Sequence, residues 1–200
     1  EVSDEVYKRF KYDLTFFLGE KWADRGYSWI FPMNDNRLKV GAARLVQKGA
    51  LRKDLKAIIE NIIEGYIQAG DYMTIDIHGG SIRYSQGMKD VFYRNRVLAI
   101  GDAVSTINPL GGEGIRYALE NGEMAVPYIE KFLKTGMNRF WWFKFRWKRK
   151  YYFKWLICEI LSLRVYRTYT DQKIDKRLTQ YHQMADIEDL KNTFFRFSFS

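Results

Sequence analysis

Residues 96–123, RVLAIGDAVSTINPLGGEGIRYALENGE, constrain this chain more than any other stretch. The short apolar run at 97–100 has the length of a buried strand. It breaks at Gly101-Asp102 and passes into a loop of small residues with Pro109, Gly111, Gly112 and Gly114. Beyond the loop, Ile115, Ala118, Leu119 and Gly122 recur on one helical face. That spacing predicts a helix over 112–134, kinked before Pro127 and ended by Gly136. Strand, glycine-rich loop and helix start in that order make a site for a polyoxygenated anion. The glycines let backbone approach a ligand, and the helix N-terminus offers N–H groups and a partial positive charge. Asp102, at the strand end, is placed to accept hydrogen bonds from a ligand hydroxyl. Glycine clusters also occur in plain helix-capping turns, so the spacing alone leaves that reading open.

The whole string is more specific. Gly101-Asp102-Ala103, then Asn108-Pro109-Leu110, then Gly111-Gly112-Glu113-Gly114-Ile115, closely resembles the second flavin-binding motif of the FAD-dependent geranylgeranyl reductase family. That family belongs to the larger group containing p-hydroxybenzoate hydroxylase-type monooxygenases and lycopene cyclases. The resemblance implies FAD as cofactor, with Gly101, Asp102, Pro109, Gly111, Gly112, Gly114 and Ile115 as its contacts. Asp102 would hold the ribitol. The loop and helix start would lie against the pyrimidine end of the isoalloxazine ring, where a positive helix end stabilises anionic reduced flavin.

A chain of 200 residues, 46% of them hydrophobic, can bury a real core. The one cysteine, Cys158, excludes an internal disulfide and fits a reducing compartment. His78 and His182 lie far apart with no Cys or carboxylate cluster at ligand spacing, so no metal site is expected. The formal net charge of +9 sits almost wholly in residues 138–200, while 1–137 is nearly balanced. No signal peptide is visible, and no apolar run is long enough to cross a bilayer.

Taken in order, residues 6–18, 27–32 and 37–45 read as strands, with Asn34-Asp35-Asn36 as the turn between the last two. Residues 51–69 read as a helix, because Leu51, Leu55, Ile58, Ile59, Ile62, Ile63 and Tyr66 fall on one face and Gly70 stops it. Residues 72–78 read as a further strand, and 81–95 as loop or short strand. The expected class is α+β. Its parts are a substrate-domain antiparallel sheet with a helix (1–95), the second part of a Rossmann-like, incomplete FAD-binding domain (96–136), and a basic, aromatic helical region (137–200).

Tyr27, Trp29 and Phe31 alternate by two and so share one sheet face. Aromatic packing in an ordinary strand would explain them. The string Tyr27-x-Trp29-x-Phe31-Pro32, followed by Val40-Gly41, is also similar to the substrate-domain signature of geranylgeranyl reductases. The resemblance implies that Tyr27, Trp29, Phe31 and Pro32 line a lipid cavity. Gly41-Ala42-Ala43 departs from the family, which more often has a second glycine there. Gly79-Gly80-Ser81-Ile82 fits the family too, although Arg83 or Tyr84 stands where a proline is usual.

Residues 139–154, RFWWFKFRWKRKYYFK, hold seven basic residues among nine aromatics and no acid. Such a stretch can bind single-stranded nucleic acid, lie on a membrane interface, or pack a helix on its domain with the cations in water. A lipid substrate favours peripheral membrane contact through 139–165, and no nucleic acid is expected.

Family members begin with a Gly-x-Gly-x-x-Gly loop for the ADP half of FAD, and nothing like it occurs here. The resemblance covers about Trp22 to Gly136, so this chain alone is expected to bind FAD poorly. The activity implied is saturation of isoprenoid C=C bonds in a lipid or prenyl diphosphate, with NAD(P)H or a ferredoxin-type protein as electron donor and a cytoplasmic, membrane-peripheral location. No catalytic residue or proton donor stands out. A related monooxygenase, halogenase or lycopene cyclase remains an alternative, as does a non-catalytic membrane-associated binding module.

Overall fold

The computed structural model describes residues 1–23, 25–44, 54–82, 84–85, 88–168 and 170–184. It is a mixed α+β structure with small antiparallel sheets. Contacts divide it into two compact units, Glu1–Gly79 with Val165–Asp186, and Gly80–Arg164.

In the first unit, helix α1 (Asp4–Phe10) precedes a three-stranded antiparallel sheet of β1 (Thr15–Leu18), β2 (Gly26–Pro32) and β3 (Leu38–Arg44), in that order. The strand expected over 6–18 is therefore a helix and a shorter strand. The reason lies in the end signals. Ser3 caps the helix by accepting from the Val6 N–H, Asp4 and Glu5 occupy its first turn, and Lys8 and Arg9 its last. The turn at Asn34–Asn36 is present, with Asp35 and Asn36 in the left-handed region that Asn and Asp tolerate.

The sheet has two different faces. Ile30 and Ser28 of β2 are fully buried, with Phe17 of β1 and Val40 and Ala42 of β3 on the same side. The buried Ser28 hydroxyl donates to the Trp22 carbonyl, so it carries no unpaired donor into the core. Helix α2 (Leu55–Asn61), capped by Asp54, packs Ile58 onto this face and runs directly into a π-helical turn, Ile62–Ile67. That turn corrects the single stripe expected over 51–69, of which 51–53 lie outside the described residues. A π turn spaces like positions by five rather than four. The residue buried after Ile62 is accordingly Ile67, and Tyr66 is left nearly half exposed. The Tyr66 ring still closes the edge of the cluster against Phe10, Phe17 and Trp22. Arg9 of α1 donates to the Ile67 carbonyl.

Residues 72–78 are not a strand. Tyr72, Met73, Ile75 and Ile77 are all exposed, and among the described residues no neighbouring strand supplies a ladder for them. Helix α5 (Asp171–Met184) also belongs to this unit, and its Asp171 carboxylate accepts from the Glu20 N–H.

The second unit is built on two long helices. A hairpin of β4 (Tyr93–Arg94) and β5 (Val97–Leu98) turns at Asn95, whose φ is +54°. The buried strand expected over 97–100 is thus cut to two residues, with Val97 open to solvent and Ile100 exposed beyond its end. A 3₁₀ turn (Gly101–Val104) follows, then α3 (Ile115–Thr135) and α4 (Phe140–Thr168). Helix α3 starts three residues later than the spacing predicts, continues through Pro127, and ends at Gly136 with φ +70°. Asn138 caps α4 by accepting from the Phe140 N–H. The core is aromatic: Phe92, Tyr117, Phe143, Trp147, Tyr151 and Trp155 pack with Val104, Ala125 and Cys158.

Candidate functional site

Two candidate surfaces stand out, one in each unit. The first is the outer face of the three-stranded sheet. Tyr27, Trp29 and Phe31 do share it, with ring centroids 5.5 Å and 6.0 Å apart along the strand. All three are half-buried, as is Pro32 at the strand end. Phe16 of β1 joins the row edge-on to Phe31 at 5.4 Å. No sequence motif marks Phe16; only the pairing register, which sets it opposite Trp29, brings it there. On the other side Trp29 faces Gly41 of β3. A Cβ at Gly41 would come within 2.2 Å of the indole, so the glycine is what lets the ring lie flat across β3. Burial raises the pKa of the Tyr27 hydroxyl, which stays neutral at physiological pH.

The second surface is the loop between the 3₁₀ turn and α3. Asn108 organises it. Its N–H donates to the Glu113 carbonyl at 2.8 Å, its carbonyl accepts from the Gly112 N–H at 2.9 Å, and its side chain accepts from the Leu110 N–H at 2.9 Å. Those bonds fold the segment around Pro109, with Gly112 in the left-handed region at φ +66°. They also occupy the Gly112 N–H inside the loop. The donors left to a ligand are therefore those of the helix start, where Gly114 as N-cap brings no side-chain acceptor.

Gly101 and Asp102 open the 3₁₀ turn beside this helix start. Gly101 is left-handed at φ +62°, and its N–H donates to the buried Asn121 side chain of α3 at 3.1 Å. Asp102 is exposed, and its Oδ1 lies 3.5 Å from where a Cβ on Gly114 would be. An open concavity of about 620 Å³ lies along the first turns of α3. Gly112, Gly114, Ile115 and Leu119 give its uncharged wall; Glu113, Glu120 and Glu123 give its acidic one.

Two of those acids are paired. Arg116 forks onto Glu113 at 2.7 and 3.0 Å, which holds the guanidinium firmly protonated, and it also donates to the Tyr117 hydroxyl. Glu120 accepts from Lys150 and from Tyr151 of α4. Burial alone would raise the Glu120 pKa, but the hydrogen bonds from Lys150 and Tyr151 outweigh it and leave the carboxyl below its usual range. Burial pushes Tyr117 up to about 12. The charge balance suits a ligand rich in hydroxyl and N–H donors better than a bare phosphate.

Residues 7–82 match the model of the geranylgeranyl reductase catalytic domain. Over those residues the chain is similar to this family. It is 28% identical over 188 residues to a digeranylgeranylglycerophospholipid reductase of Methanocaldococcus jannaschii, an alignment covering 89% of this chain and 45% of that protein. It is 32% identical over 134 residues to digeranylgeranylglycerophospholipid reductase 1 of Methanopyrus kandleri, covering 60% of this chain and 34% of that one. The chain thus spans less than half the length of these curated geranylgeranyl reductase relatives. Its fold is similar to a crystal structure of a geranylgeranyl bacteriochlorophyll reductase-like protein from Thermoplasma acidophilum, with a TM-score of 0.72, 21% identity, and coverage of 88% of this chain and 45% of that chain.

Proposed function

We propose that this chain supplies the substrate sheet and part of the flavin site of an FAD-dependent reductase that saturates C=C bonds of an isoprenoid lipid or prenyl diphosphate. The observation that carries this reading is the catalytic-domain match over 7–82, which contains the row Phe16, Tyr27, Trp29 and Phe31 on a half-open sheet face. A polyprenyl chain offers only apolar surface and π-bonds, and a row of rings with Pro32 at its end complements both.

The loop residues fit the ribityl and ring half of FAD. Asp102 is an exposed acceptor for ribityl hydroxyls beside Gly101, and the N–H groups from Gly114 and Ile115 onward point out of the positive end of α3. Pro109, Gly111 and Gly112 shape the approach without side-chain bulk. When bound, reduced flavin would supply hydride to one alkene carbon, with a proton reaching the other. The chain's own residues would orient the ligand, the rings of the sheet face along the polyprenyl chain and the loop backbone along the ribityl half.

The electron donor in this reading is NAD(P)H or a ferredoxin-type protein, and the enzyme meets its substrate at the cytoplasmic face of a membrane. The test uses the complete polypeptide that carries this sequence, incubated with a geranylgeranylated lipid and a reductant, and reads product mass. Gain of hydrogen is expected. Gain of oxygen would transfer the protein to the monooxygenases, and no turnover with no bound flavin would make it a binding module.

A further inference from the structure

Helix α4 has two apolar faces, and the core of its unit uses only one of them. Phe143, Trp147, Tyr151, Trp155 and Cys158, spaced by three and four residues, are buried. Trp142, Phe145, Phe153, Leu156 and Ile160 follow the same spacing on the opposite side, and all are exposed, Phe153 to 73%. Flanking them, the Trp141 ring stacks on Trp142 at 4.2 Å, and Trp142 meets Phe145 edge-on at 5.6 Å. The strip is about 30 Å long at 1.5 Å per residue. An exposed apolar strip of this size marks a surface that meets something.

The charges on the helix say what it meets. Arg149 lies in the middle of the exposed face and Arg146 on its flank, both open to solvent. Arg146 also touches the Tyr128 hydroxyl at 3.3 Å, which keeps it at the rim. No acid occurs between residues 139 and 154, and the one acid further along the helix before residue 165, Glu159, has a buried carboxylate oxygen. A second copy of this face would set arginine against arginine. A nucleic acid would use the rings and cations but leave Leu156, Ile157 and Ile160 without partners. No described helix is long and apolar enough to cross a membrane. Aromatic rings, aliphatic side chains and snorkelling cations on one face are instead the composition of a helix lying in the plane of a bilayer interface.

We propose that the exposed face of α4, from Trp142 to Ile160, docks onto an anionic phospholipid bilayer, with Trp142, Phe145 and Phe153 at headgroup depth and Arg146 and Arg149 on the lipid phosphates. This surface is independent of the reductase reading, and its test does not use activity.

The test is flotation of the complete polypeptide with phosphatidylcholine vesicles, with and without phosphatidylglycerol. Binding is expected only when the anionic lipid is present, and it is expected to weaken with salt. Arg146→Gln with Arg149→Gln should lower partitioning about fivefold for each charge removed. Phe145→Ser with Phe153→Ser should lower it as strongly without altering its salt dependence. Quenching of tryptophan emission by bromine-labelled lipid should fall in Trp142→Phe. These side chains are exposed, so an unchanged melting temperature verifies that each variant folds. Equal binding of wild type and both double variants, or failure of the wild type to bind anionic vesicles, overturns the proposal. So does self-association, or capture of single-stranded nucleic acid in place of vesicles, that the same variants abolish.

Discussion

The side-chain carbonyl of Asn121 accepts the backbone N–H of Gly101 at 3.1 Å, inside a site where Asn121 is fully buried. One amide of α3 thereby fixes the left-handed residue that sets Asp102 beside the start of the same helix. Replacing Asn121 by Leu keeps the branching and the heavy-atom count but leaves that N–H without an acceptor. A destabilisation of about 1–3 kcal/mol is expected in denaturant unfolding. A neutral result would mean that water or a backbone shift replaces the amide.

Gly41→Ala forces the Trp29 indole off β3. The expected cost is about 1–3 kcal/mol of stability, together with a changed tryptophan emission spectrum. Trp29→Phe in the same chain should recover most of the loss, because the smaller ring leaves room for the methyl. Absence of recovery would place the strain in the strand itself.

Asp102→Ala in the complete enzyme should reduce flavin retention through gel filtration, read as visible absorbance per polypeptide. The melting temperature of the apoprotein should stay the same, since Asp102 is exposed. Unchanged retention would remove the ribityl role.

The Glu120 carboxyl lies below the usual carboxylate range in the folded protein, so its contribution has a defined sign. The stabilisation is present above the carboxyl's unfolded pKa, near 4.5, and is lost as pH falls through the lower folded value. Lys150 is about half exposed, which limits the pair to about 0.5–1 kcal/mol at neutral pH. Glu120→Gln should flatten the acid limb of the stability curve between those pH values and leave the alkaline limb unchanged.

Cys158 is 2% exposed, and burial pushes its thiol up to about 11. It should resist alkylation at neutral pH in the native state and react once denaturant unfolds the second unit. Fast native labelling would show that α4 opens locally.

Strands β2 and β3 were legible because alternation and an Asn-Asp-Asn turn are local signals. The Gly-Asp and glycine-loop strings were legible as a resemblance. Asn108 lies within that string but does not show its staple role, because the Glu113 carbonyl it bonds is found only after the loop folds. Asn121 gives no signal at all, being a polar residue in a helix whose acceptor role depends on a turn twenty residues earlier. Apolar patterning misled where it assumed a covering partner. Ile115 and Leu119 are 81% and 71% exposed, and with Val126, Ile129 and Leu133 they form a stripe that nothing among the described residues covers. Residues 72–78 alternate like a strand for the same reason. Pattern reports which side chains could be buried together, and only tertiary pairing decides whether they are.

The π turn at Ile62–Ile67 amounts to one surplus amino acid looped into an otherwise regular spiral. Losing an exposed residue there, Glu64 or Gly65, would close the loop into plain α-helix and leave every later side chain in phase. The register in which Ile67 plugs the core and Tyr66 roofs Phe17 would survive the loss, and Arg9 would keep the carbonyl it now holds. The segment is thus a place where the chain can change length without changing what it buries.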